Sequence, residues 1–196
     1  MSRTAKVARK TKETDIALEL NLDGRGESSV ASGNGFMDHM LTLWAKHGLI
    51  DLKLTCTGDT DVDFHHSAED IGICLGQALK QALGDMRGIT RYATAHVPMD
   101  TCLARVCLDI CGRPNLVYDV KLGDRTINGF ECDLAEDFFK ACTDHAQVTV
   151  HVDLLRGRNP HHGLEAAFKA FGQALAMACA INPRARGDLP TTKDLL

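Results

Sequence analysis

No apolar run in the 196 residues approaches the length of a membrane span, and residues 1–14 (MSRTAKVARKTKET) lack the apolar core of a signal peptide. There is no surplus of basic charge. With 22 Lys and Arg against 26 Asp and Glu the net charge is −4, which argues against nucleic-acid binding by bulk attraction. There is no Cys-x-x-Cys pair among the eight cysteines. Cys56, Cys102, Cys107 and Cys111 fall in strand-like stretches and Cys74, Cys142 and Cys179 in helix-like ones, all among apolar neighbours. That placement reads as reduced core thiols in a reducing compartment. No stretch has the composition of an interdomain linker. A single cytoplasmic domain over residues 1–196 is expected, with no membrane or nucleic-acid partner.

Hydrophobic periodicity supplies the elements. Alternation marks strands at 15–22, 49–57, 92–97, 103–110, 116–120 and 148–155, and a 3.6-residue period marks helices at 36–47, 66–83, 134–144 and 162–180. The basic run Arg3, Lys6, Arg9, Lys10 and Lys12 reads as a solvated arm.

The two halves repeat each other. Adding 96 to His65, His66 and Glu69 gives His161, His162 and Glu165, and the same shift carries Gly76-Gln77-Ala78-Leu79 onto Gly172-Gln173-Ala174-Leu175. Upstream the shift is 98, so His39 falls on Asp137 and His47 on His145. The slip fits a loop-length difference before each His pair. The expected fold class is α+β, built from two ββαβα halves at about 1–88 and 89–196, with a sheet layer packed on a helix layer.

The duplicated motif, His-His-x-x-Glu, has the spacing of a metal site. On a helix either histidine can share a face with the Glu, three or four residues on. The adjacent histidines diverge by about 100° around the axis, so one serves an ion with the Glu while the other points to a second ion. His39, His65, His66 and Glu69 in one half, and Asp137, His161, His162 and Glu165 in the other, are the candidate ligands. Two ions sharing eight ligands keep open positions, which suits catalysis. Imidazole and carboxylate without thiolate favour Mn, Fe, Co or Zn over Ca or Mg. His47, His96, His145 and His151 are read as structural, His47 and His145 as groups at helix ends.

Three segments carry a family resemblance: GNGFMDHML (33–41), DFHHSAEDIG (63–72) and GRNPHHGLEAAFKA (157–170), with RKTKET (9–14) and LPTTK (189–193) in support. Together they resemble the imidazoleglycerol-phosphate dehydratases over essentially the whole chain. The resemblance implies a duplicated fold of the ribosomal protein S5 domain 2-like kind, two Mn2+ per active site, and a homo-oligomer of 24 subunits with active sites between them. It places His39, His65, His66, Glu69, His161, His162 and Glu165 among the metal ligands, Glu69 and Glu165 counting also with the catalytic carboxylates. Glu13 becomes a substrate-contacting carboxylate, and Arg91, Arg113, Lys169, Thr191, Thr192 and Lys193 become contacts to the substrate phosphate. Two departures are visible. Many relatives carry a His ligand where this chain has Asp137, and their C-terminal segment reads Ser-Thr-Lys-Gly where this one reads Thr191-Thr192-Lys193-Asp194. The first implies that the two metal sites differ in ligation.

The implied reaction converts imidazoleglycerol phosphate to imidazoleacetol phosphate in histidine biosynthesis. The proton to be lost is on an unactivated carbon. Metal on a ring nitrogen favours imidazolate, which can expel the hydroxide and leave a diazafulvene-like species with an acidic neighbouring C–H. Glu13 is the candidate general base. A dinuclear phosphohydrolase is the competing enzyme, though such sites lean on Asp-rich strand ends. A non-catalytic metal-binding assembly protein is the other competitor, and it has no use for the RKTKET and LPTTK segments.

Overall fold

The computed structural model describes residues 3–193; Asp194 and the two residues after it in the C-terminal segment lie outside the described residues. Strands β1 (Thr4–Lys10), β2 (Thr14–Asn21), β3 (Ser28–Ala31) and β4 (Asp51–Gly58) form one sheet in the order β1-β2-β4-β3. Strands β5 (Tyr92–Met99), β6 (Cys102–Asp109), β7 (Asn115–Asp119) and β10 (Thr149–Arg156) form a second in the order β5-β6-β10-β7. The two sheets have one topology. Their first three strands pair antiparallel, and β3 and β7 lie parallel to β4 and β10. Helices α1 (Gly35–Gly48) and α2 (His65–Leu83) belong to the first half, α3 (Leu134–Ala146) and α4 (Pro160–Cys179) to the second. A small hairpin, β8 (Thr126–Ile127) and β9 (Phe130–Glu131), is inserted before α3.

The duplicated α+β class is as expected; the first half holds one strand more than ββαβα, and the second holds one more besides the β8–β9 hairpin. The basic arm is a correction. Residues 4–10 pair with β2 along their length because Ala5 and Val7 alternate inward beneath Lys6 and Lys10. Arg9 reaches Asp70 at 2.6 Å instead of solvent. Cys111 lies just past β6 rather than in it. All eight cysteines are free, and seven are buried. Residues 59–64 separate β4 from the first His pair and residues 157–160 separate β10 from the second, a difference of two that accounts for the slip in the repeat.

The helices pack across the halves, α2 on α3 and α4 on α1, between the two sheets. The glycines of the repeated Gly-Gln-Ala-Leu segments make these crossings possible. A Cβ on Gly172 would lie 2.4 Å from the Trp44 carbonyl, and one on Gly76 would lie 2.4 Å from the Cys142 carbonyl. Trp44 and Cys142 are themselves related by the shift of 98, so one crossing is the image of the other. Trp44, Phe138, Phe139, Phe168 and Phe171 fill the space between the helices, and each is no more than 1% exposed. Among the described residues, no helix is long and apolar enough to cross a membrane.

Candidate metal centre

Helix α1 starts at Asn34, whose side chain accepts from the N–H groups of Phe36 and Met37. Helix α4 starts at Asn159, which accepts from the His162 N–H, with Pro160 in the first turn. The crossing at Gly172 then sets the N-terminal turns of the two helices side by side. His39 Nε2 lies 3.6 Å from Glu165 Oε2, and His161 Nε2 lies 3.2 Å from the same oxygen. One donor atom from each residue falls within 4.8 Å of the others, the one group of three such donors among the described residues. Ligands in adjacent positions about 2.1 Å from one ion would stand at such separations. The imidazole-and-carboxylate donor set is that of a borderline transition metal.

The electrostatics favour an ionised Glu165. Its burial resists ionisation, but the Lys169 ammonium at 2.6 Å, with His39 and His161 beyond, outweighs that and holds its pKa below the usual carboxylate value. Phe36 packs edge-on against the His161 ring at 5.2 Å and limits its rotation.

The α2–α3 crossing generates the related place. His65 Nδ1 lies 3.6 Å from Asp137 Oδ2, the repeat images of His161 and His39. Glu69, the image of Glu165, is exposed on α2 and completes no three-donor group. The second histidine of each motif turns away. The rings of His65 and His66 stand at 87°, and those of His161 and His162 at 84°. His66 faces Asp59 at 3.0 Å and Glu13 at 4.0 Å, and the Asp59 carboxylate raises its pKa. His162 faces Asp100 at 3.4 Å.

The family model of imidazoleglycerol-phosphate dehydratase matches residues 32–175. The chain belongs to the imidazoleglycerol-phosphate dehydratase family. It is 54% identical over 194 residues to the imidazoleglycerol-phosphate dehydratase of Nitrobacter hamburgensis, covering 99% of this chain and 98% of that one. It is 52% identical over 191 residues to that of Pelobacter propionicus, with 97% and 98% covered. The crystal structure of imidazoleglycerol-phosphate dehydratase from Staphylococcus aureus superposes with a TM-score of 0.83 at 38% identity, over 91% of this chain and 99% of that one. The Pyrococcus furiosus enzyme, solved in complex with (S)-C348, gives 0.83 at 36% identity, over 97% and 100%. A dehydratase is a hydro-lyase, so the enzyme class read from the sequence is that of the family.

The expected phosphate contacts divide in two. Arg91, Arg113, Thr191, Thr192 and Lys193 line one cavity with Tyr92 and Pro190. Arg91 organises it from a left-handed backbone (φ 80°), with Nε 2.8 Å from Asp109 and one terminal nitrogen donating to the Pro190 carbonyl at 2.7 Å. Lys169 lies apart from that cavity, on Glu165. His145 sits at the end of α3, its Nδ1 2.9 Å from the Ala141 carbonyl, and His47 sits in the last turn of α1. Asp59 and Asp100 escaped notice in the sequence. The available signal for Asp59 was the acidic run ahead of the first His pair; for Asp100, a turn residue 62 positions before His162, there was none.

Proposed function

We propose that the chain dehydrates imidazoleglycerol phosphate to imidazoleacetol phosphate in histidine biosynthesis, using two Mn2+ per active site. The observation that carries this reading is the convergence of His39, His161 and Glu165, with donor atoms within 4.8 Å, on a chain of this family. These three residues would hold one ion. His65 and Asp137 stand ready for part of the other, with Glu69 one turn along α2. His66 and His162, turned away from both, are free to complete sites across subunit contacts, which supports active sites shared within a 24-subunit particle. When bound, the metal supplies Lewis acidity to the substrate's imidazole ring.

The residues divide the remaining work. Glu13 lies on the β1–β2 turn, half exposed and next to His66, where its carboxylate can take the substrate proton. Arg91, Arg113, Thr191, Thr192 and Lys193 form a cationic and hydroxyl-bearing cavity suited to the phosphate. Lys169 keeps Glu165 ionised and lies one turn beyond it, from where it can also face the anion. The cytoplasm, where histidine is made, suits the free thiols.

The test is one assay. Mn2+-loaded protein is given imidazoleglycerol phosphate, with imidazoleacetol phosphate and inorganic phosphate both followed and particle size measured by sedimentation. Acetol phosphate without phosphate release is the expected result. Phosphate release alone would favour the dinuclear phosphohydrolase, and neither product would end both readings.

A further inference from the structure

The loop 59–64 is the segment that the first half has and the second lacks at that length. Its first residue makes two contacts that join separate parts of the site. The Asp59 carboxylate meets His66 Nδ1 at 3.0 and 3.3 Å, while its backbone N–H donates to the Glu13 carbonyl at 3.0 Å. The Glu13 turn is held at its other side by Thr11, whose hydroxyl accepts from the N–H groups of Glu13 and Thr14. Thr14 in turn donates to the buried Asp70 on α2. Asp59 is therefore the point at which the Glu13 turn and the His66 ring meet.

We propose that Asp59 is a positioning residue that fixes His66 and Glu13 relative to each other and to the metal. A carboxylate on Nδ1–H selects the tautomer whose Nε2 carries the lone pair and stops the ring from turning. Nε2 then points to the Glu13 side, 4.0 Å from Oε1. In the second half His162 turns Nδ1 toward Asp100 of the β5–β6 turn at the longer distance of 3.4 Å. Both outward histidines thus keep Nε2 available.

This role rests on the dehydratase reading, and the experiment separates the two. Mn2+ affinity by isothermal titration, kcat and KM are measured for the assembled wild-type, Asp59→Ala and Asp59→Asn proteins. Asp59→Ala is expected to weaken Mn2+ binding by about 10–100-fold and lower kcat at limiting metal. KM should change little, because the anion cavity is built from other segments, and excess Mn2+ should restore much of kcat. Asp59→Asn keeps an oxygen acceptor and should fall between the two. A folded Asp59→Ala with wild-type affinity and kcat would overturn the role of Asp59. Loss of kcat that excess Mn2+ leaves unrestored would overturn it equally, since that marks general structural damage. Should Asp59→Ala fail to fold, wild-type behaviour of Asp59→Asn would overturn the proposal. A wild-type protein that neither binds Mn2+ nor turns over would remove the dehydratase reading, and the role of Asp59 with it.

Discussion

Glu13 and Glu165 are both carboxylates near histidines, yet their surroundings assign them different work. Glu165 is buried and held by Lys169, which suits a fixed ligand. Glu13 is half exposed on a turn pinned by Thr11 and Asp59, which suits a base that must meet substrate. Glu13→Gln is expected to lower kcat by about 10²–10⁴-fold, the usual worth of a positioned base, with Mn2+ content unchanged. Turnover at the wild-type rate would refute the assignment. The cysteines give a second prediction at this scale. Burial pushes the Cys74 thiol up to about 11 and the Cys142 thiol up to about 12. In the unfolded chain these thiols ionise near their ordinary pKa of about 8.5, whereas the folded chain keeps them protonated. Between those limits the unfolded state binds fewer protons, so stability is intact below pH 8.5 and falls as pH rises toward 11. Thermal melting across that range should show a steady decrease. A thiol reagent at neutral pH should find at most Cys107, the one cysteine not fully buried, until the protein is denatured.

The helices were legible because each long amphipathic pattern had one reading, and their observed ends differ from it by no more than about two residues. The strand β1 was not, because its outward residues are Lys6 and Lys10 and its inward ones the small Ala5 and Val7, so charge masked the alternation. The short β3 and the β8–β9 hairpin offered too few residues for a period to show. The rings of the two adjacent histidines stand nearly perpendicular in each motif, a divergence the helical spacing anticipates. That His161 rather than His162 joins Glu165 needed the helix crossing, because spacing allows either. The helix crossings rest on the glycines the repeat had already marked. Gly172→Ala must move either α4 or the Trp44 carbonyl, since the new Cβ would sit 2.4 Å from that oxygen. The expected loss is about 1–3 kcal/mol despite the better helix propensity of alanine, read as a lower urea midpoint. Mn2+ binding at His39 and Glu165 should weaken with it, because both ride on the helices being pushed apart. Gly35→Ala is the control, with its nearest neighbour the Asn128 side chain at 3.4 Å. Equal midpoints for the two variants would show that the crossing tolerates a methyl group.

The molecule is built as two copies of one unit, but its two candidate metal-binding ends are not copies. The four-stranded sheets repeat strand for strand and each helix crossing seats its glycine on the corresponding carbonyl, and then His39 in one half becomes Asp137 in the other. The carboxylates diverge as well. Glu165 is buried with Lys169 beside it, and the position 96 residues before Lys169 is Ile73. The first end therefore offers two imidazoles and a carboxylate already held in place. The second offers one imidazole and an aspartate, with Glu69 still in solvent. Imidazole binds Mn2+ and its neighbours in the transition series as a neutral nitrogen donor, whereas aspartate adds negative charge and prefers harder ions. The two sites should then differ in affinity and in metal preference. Isothermal titration of metal-free protein with Mn2+ is expected to show two unequal classes of site, one ion of each per chain. Asp137→His should draw the weaker class toward the stronger and leave the anion cavity untouched. A single class in the wild-type protein would mean that assembly makes the ends equivalent, with a residue from a neighbouring subunit in the place of the missing imidazole.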